Sequence, residues 1–372
     1  MHKLWKEIDG QDTVKKSLQK IIDSRRVPHA FLFFGQEGVG KFFCALQFAK
    51  ILNEQSGVEE YEKITKKIAL LQEPYIKMIF PLPRGKNELP EDGSLTKLSK
   101  SSIEEVQSEI VKKSENPYHK IFIEDANTIK INSIREIKKF LNTSAFEDNI
   151  YRFIIILDAH LMNDQSQNAL LKSIEEPPEK VIFILITSDK EKLLPTIKSR
   201  SALIEFAALG EEDLISILKK YHNFDESISK PVIKFFEGSV TNAINMIKMD
   251  ISVVMEMTIE LLRFSLAKKY DQAIKVFNKF ISEFGQDSVH MLLKMIKFWI
   301  GDTIKNRSRV SEIYFEKYME TIQKFNQRFP DSDLLAVLTK IERLENSLNH
   351  NVNLNVFCLN LIFTLASISI RK

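Results

Sequence analysis

A chain of 372 residues is long enough for two or three domains, each with its own core. Its 44 % hydrophobic and 28 % charged residues are those of an ordinary globular protein, and a net charge of +3 excludes a surface coated for nucleic acid, leaving that task to local patches. Two cysteines far apart, Cys44 and Cys358, exclude a disulfide framework and suit a reducing cytoplasm.

Met1 to Gln11 is charged, without the apolar centre of a secretory signal. Through the first 200 residues short apolar runs alternate with helical patterns, the mark of a parallel α/β sheet. Phe31 to Phe34 reads as a strand running into glycines, and Phe42 to Leu52 as the helix after it. Residues 73–95 break the rhythm with prolines, including Pro81-Leu82-Pro83, and read as an irregular insertion. Ile121-Phe122-Ile123 is a second strand candidate. In Ile131 to Leu141, the residues Ile131, Ile134, Ile137, Phe140 and Leu141 share one helical face, while Lys130, Arg135, Lys138 and Lys139 project away from it. Phe153 to Leu157 and Val181 to Ile186 are further strands, with a helix over Gln165 to Glu176 between them; their unbroken apolar runs imply cover on both faces. After Phe206 the strand signals stop. A small helical domain is expected over residues 208–250 and a larger helical bundle over 251–372, following an α/β domain over 1–207. The apolar stretch Val352 to Ile370 holds Asn353, Asn355 and Asn360, which favours a buried helix over a membrane span.

Gly35-Gln36-Glu37-Gly38-Val39-Gly40-Lys41 matches GxxxxGK between a strand and a helix. Glycines at Gly35, Gly38 and Gly40 let backbone N–H groups turn to phosphate oxygens, the helix start adds a favourable field, and Lys41 reaches the terminal phosphates. The following residue should carry a hydroxyl for Mg²⁺, and here it is Phe42, whose ring cannot bind a hard cation. Retained binding of ATP or ADP and a loop kept for its packing both fit these residues.

Several segments together resemble the AAA+ clamp-loader subunits of bacterial DNA polymerase III. They are Trp5 to Gln11, the run Val27-Pro28-His29-Ala30-Phe31-Leu32-Phe33-Phe34-Gly35, the run Asn168 to Pro178 (NALLKSIEEPP) and Thr196 to Ser201 (TIKSRS, with Ser201 at the usual cysteine). The resemblance covers about the first 205 residues. It implies a P-loop module, a helical lid and a C-terminal helical collar that joins other subunits into a ring segment. Counting back without gaps from Asn168 places Leu157 and Asp158 where the motor subunits carry an Asp-Glu pair for metal and water; a one-residue gap would instead set Asp158 at the metal position and Ala159 at the base, and either way the pair is broken. The lid motif Gly238-Ser239-Val240-Thr241-Asn242-Ala243 carries Thr241 at its arginine position. With Phe42, these departures are similar to the delta-prime subunit and imply a subunit that can bind ATP or ADP without hydrolysing it. The alternative is a self-sufficient motor subunit of the gamma/tau kind with unusual metal ligands.

By the same resemblance Arg200 is an arginine finger acting on a neighbouring subunit's nucleotide, and Thr187 stands at the sensor position or merely satisfies backbone. Arg135, Lys138 and Lys139 either follow a DNA backbone or form a solvated face. Glu175 and Glu176 diverge too far along a helix to share a site and read as helix-terminal acids at an interface. His29 and His160 read as structural. The four zinc cysteines of many relatives are missing, so no zinc and no other metal site is expected. The implied partners are gamma/tau-like and delta-like subunits, the sliding clamp indirectly, and primed DNA, with no membrane.

Overall fold

In the computed structural model, which describes residues 2–57, 60–142, 150–226, 233–235, 237–310, 313–348 and 352–369, five short strands form one parallel sheet. They are β1 (Ala30–Phe34), β2 (Ile76–Ile79), β3 (Arg152–Ile156), β4 (Val181–Thr187) and β5 (Ala202–Glu205), in the order β2-β3-β4-β1-β5. Alternation along each strand divides the side chains between two covered faces. Phe31 and Phe153 meet Phe48 of helix α2 (Lys41–Gln55), with ring centroids 5.2 and 6.2 Å apart. On the other face Leu32, Ile154, Ile156, Phe183 and Leu185 pack with Ile134, Ile137 and Phe140 of α5 (Ile131–Asn142) and with Leu170 and Ile174 of α6 (Asp164–Glu175). Double cover is the physical reason Phe153 to Ile156 of β3 and Val181 to Ile186 of β4 are apolar without interruption. Further helices around the sheet are α1 (Asp12–Asp23), α3 (Tyr61–Ala69), α4 (Lys100–Glu115), α7 (Pro195–Ser199) and α8 (Glu211–His222).

Three expectations need correction. Ile121 to Ile123 forms no strand: Phe122 is 70 % exposed, and its N–H donates to the Glu109 carboxylate of α4 instead of to a sheet. The strand that does pair with β3 lies inside the proline-rich stretch, as β2. Prolines at 74 and 81 bracket it, and it pairs with β3 alone, an edge position that tolerates such neighbours. Lys130 is also not free of the core side. Its ammonium is buried, 2.9 Å from Glu88 Oε1, and donates to the carbonyls of Pro83 and Ser94. Asn132 donates to Glu88 and to the Leu89 carbonyl, and Glu136 accepts from Ser94 N–H at 2.6 Å. The irregular stretch is therefore anchored residue by residue on the first turns of α5.

The chain divides into two compact units, Met1–Ile244 and Asn245–Lys372. The second contains helices Ile251–Leu266, Tyr270–Phe284, Val289–Arg307, Met319–Arg328, Leu334–Ser347 and Leu354–Ala366. Trp299, Phe277, Phe280, Phe315 and Phe357 are its large buried side chains, and the buried carboxylate of Asp302 accepts from the N–H groups of Tyr314 and Phe315. In the stretch from Val352, Asn353 caps the last helix by accepting from Asn355 and Val356 N–H, while Leu361, Ile362 and Leu365 are buried. Residue 370 lies outside the described residues. Among the described residues no helix is long and apolar enough to cross a membrane.

Candidate phosphate-binding site

β1 delivers the chain into the loop Gly35 to Gly40, and Gly40, with φ +92°, caps the N-terminus of α2. Two positions show why glycine is required. At Gly35 a Cβ would lie 2.3 Å from the Phe206 carbonyl oxygen, and at Gly38, where φ is +74°, it would lie 2.6 Å from Thr241 N. Thr241 thus packs its backbone against the loop; it stands where the resemblance placed an arginine and brings no charge. Ser239 Oγ donates to the Glu37 carbonyl at 2.8 Å, and Val240 N–H donates to the Gly38 carbonyl at 3.3 Å. Gln11 braces the opposite side, its amide donating to the carbonyls of Val39 and Ala207.

Gly38, Gly40, Lys41, Phe42, Leu157, Asp158 and Thr241 line one cavity of about 430 Å³. The Lys41 ammonium is buried and donates to the Gly35 and Gln36 carbonyls, so it holds its own loop in a folded-back form. Burial pushes its pKa down to about 8, against an opposing pull from Asp158 and Glu37. Asp158 follows the end of β3 with φ +49° and ψ +46°, and Leu157 beside it is buried. Gly35, Thr187, Arg200, Arg135, Lys138 and Lys139 are not among the residues lining the cavity. Thr187 closes β4, but its hydroxyl is engaged: it lies 3.1 Å from His160 Nδ1, donates to the Asp189 carbonyl and accepts from Asp189 N–H. His160 does line the cavity, and burial lowers its pKa.

Sequence reasoning missed the roof. Residues 117–127, following α4, lie along the cavity and bring Tyr118, His119, Lys120 and Phe122 to it. Lys113, from the last turn of α4, is 7 % exposed, with its Nζ 4.5 Å from the centroid of the Phe42 ring. No sequence motif marks a lysine arriving from so distant a helix.

The cavity and the glycine loop suit the phosphates of a nucleotide. They do not suit the magnesium that accompanies ATP. The Phe42 ring stands in place of a hydroxyl and Leu157 in place of a carboxylate, which leaves Asp158 as the one acid at the end of β3; the cavity's other acids, Glu37, Glu124 and Asp125, come from the glycine loop and from residues 117–127. Among the described residues no cluster of three or more His, Cys, Asp or Glu could hold a metal ion.

Arg200 follows α7. Its Nη2 lies 2.9 Å from Glu175 Oε1 at the end of α6, its Nη1 donates to the Thr196 carbonyl, and both members of the ion pair are partly exposed. On α5, Lys138 and Lys139 are exposed, and Arg135 donates to the Pro90 carbonyl at 2.7 Å.

With this geometry in hand, known proteins give the chain its relatives. A family model described as "DNA polymerase III, delta subunit" matches residues 10–210, and one described as "DNA polymerase III, delta subunit, C terminal" matches residues 258–365. The chain is 28 % identical over 324 residues to DNA polymerase III subunit gamma of Buchnera aphidicola subsp. Schizaphis graminum, covering 79 % of this chain and 76 % of that one. It is 23 % identical over 373 residues to DNA polymerase III subunit tau of Bacillus subtilis, covering 93 % and 59 %. A crystal structure of a DNA polymerase III gamma subunit-related protein from Thermotoga maritima aligns with 96 % of this chain and 100 % of its own at 16 % identity, with a TM-score of 0.37, too low to carry an argument. These relatives correct the expectation of a non-hydrolysing, delta-prime-like subunit: those that match across most of the chain are named gamma and tau. Phe42, Leu157 and Thr241 are departures at single positions, whereas the similarity to gamma and tau runs over most of the chain. A five-stranded parallel P-loop sheet, a helical second unit and a match over more than half of its residues make this chain a member of the DNA polymerase III, delta subunit, family of clamp-loader proteins.

Proposed function

We propose that the chain acts as a gamma/tau-like subunit of a DNA polymerase III clamp loader, one that takes ATP on its own P-loop and couples it to loading a sliding clamp on primed DNA. The observation that carries this reading is the loop itself, which retains Gly38, Gly40 and Lys41 around one cavity with an acid, Asp158, at the end of the neighbouring strand. Lys41 releases the Gly35 and Gln36 carbonyls and turns to the terminal phosphates when nucleotide arrives, exchanging two neutral acceptors for charged ones. Asp158 orients the attacking water, from a position one methylene short of a glutamate. Arg200 leaves Glu175 and enters the nucleotide site of an adjoining subunit, where a guanidinium neutralises charge on the transferred phosphoryl group. In this reading residues 208–250 act as a lid and residues 251–372 as a collar that joins other clamp-loader subunits. Arg135, Lys138 and Lys139 follow the DNA backbone.

The test is ATP-dependent loading of a clamp onto primed DNA by a complex that contains this chain as its only intact P-loop subunit. Loading that disappears in Lys41→Ala supports a motor role. Loading that is indifferent to Lys41→Ala overturns it.

A further inference from the structure

We propose that Lys113 is a resident cation of the nucleotide site, taking the place of a divalent metal next to the phosphates, so that the loop binds ATP without magnesium. This rests on the reading of the loop as a nucleotide site and deepens it. Where a metal-binding hydroxyl would begin α2 stands the ring of Phe42, and an ammonium group from α4 lies 4.5 Å from its centroid. The ring and the ammonium form one unit: the aromatic face attracts the cation and helps hold it where the missing ligand leaves room for positive charge.

The surroundings of Lys113 are those of a cation that lacks its anion. An ammonium has three donors. Lys113 uses two, on the carbonyls of Pro117 and His119, and among the described residues no carboxylate bonds to it. Asp158 and Glu37 act on it only through space, and burial pushes its pKa down to about 7. It lines the same cavity as Lys41, Gly38 and Gly40. A second group waits there too. The Tyr118 hydroxyl is buried, lies against Gly40, where a Cβ would come within 3.2 Å of it, and has no hydrogen-bond partner among the described residues. A buried hydroxyl without a partner, and a buried ammonium with one donor to spare and no carboxylate bonded to it, are groups beside a glycine loop that a phosphate oxygen satisfies. Phosphate would in turn restore the proton that burial tends to remove from Lys113.

The experiment is equilibrium binding of ATP to the full chain, in excess magnesium and in EDTA. Affinities within about twofold of each other support the proposal; in a loop that needs metal, removal of a divalent charge beside the phosphates would cost about a hundredfold or more. Lys113→Met, which keeps the apolar stem, should lose about tenfold or more in both buffers, whereas Phe42→Thr should make binding depend on magnesium. Lys113→Met that melts normally and binds ATP as tightly as the native chain overturns the proposal, whereas native binding that collapses in EDTA overturns it and leaves the nucleotide site standing. Should Lys113→Met fail to fold, the native chain and Phe42→Thr decide the matter between them. No binding in either buffer overturns both this proposal and the nucleotide site on which it rests.

Discussion

Lys41 and Lys113 are two ammonium groups buried in one cavity, with pKa values pushed down by burial to about 8 and about 7 from the ordinary 10.5. In the unfolded chain both keep their protons until about pH 10.5, whereas the folded chain gives them up from about pH 7 upward. Between those limits unfolding takes up protons, so these groups make the ligand-free protein more stable as pH rises, and below pH 7 their contribution levels off. The melting temperature of Lys113→Met should therefore climb less steeply between pH 7 and 10 than that of the native chain. Equal slopes would mean that Lys113 keeps its ordinary pKa. Affinity for a phosphate group should move the other way, falling across the same window as the ammonium loses its charge. Gly38 makes a separate point. Gly38→Ala puts a side chain at φ +74° and 2.6 Å from Thr241 N, so it should destabilise the protein by about 1–3 kcal/mol. A chemical-denaturation midpoint unchanged by this substitution would show that the loop and the segment from Ser239 are not packed together.

At the scale of elements, the strands that read clearly in the sequence were those buried on two faces, and the helices those that cover them. β1, β3, β4, α5 and α6 lie within a residue of their sequence limits and α2 runs three residues beyond its expected end, because the apolar runs answer to cover on both sides of the sheet. β2 was hidden: only Ile76 and Ile79 of its four residues are buried, and prolines stand close on either side. Ile121 to Ile123 has the composition of a strand, but its partner is a carboxylate on α4, which no local pattern reveals. The loop, Phe42 and the strand-end positions of the site were legible because the GxxxxGK motif is local. Lys113, Tyr118 and the Arg200–Glu175 pair were not, since each depends on which distant elements the topology brings together. Asn53 shows the same limitation. Its buried amide donates to the Tyr151 carbonyl and accepts from Tyr151 N–H at 2.8 Å, joining α2 to the start of β3. Asn53→Ala should cost about 1–3 kcal/mol through these backbone groups, read as a shift in denaturation midpoint; a neutral result would mean water replaces the amide freely.

Across the whole molecule, two sites divide the work. On the proposed reading the P-loop cavity serves the chain's own nucleotide and Arg200 another's; Arg200 is not among the residues lining that cavity and is paired with Glu175. Arg200→Ala should leave phosphate release by the isolated chain unchanged and lower that of the assembled complex by about 10³-fold or more at the site it enters. Glu175→Gln removes the competing carboxylate and should not lower the activity of the complex. If Arg200→Ala instead impairs the isolated chain, the arginine acts within its own subunit. The central claim, that the chain is itself a motor subunit, is tested most directly by steady-state phosphate release from ATP by the chain alone, compared with Lys41→Ala. Release by the native chain that Lys41→Ala abolishes is the result predicted here. Native release no greater than that of Lys41→Ala would contradict the motor assignment.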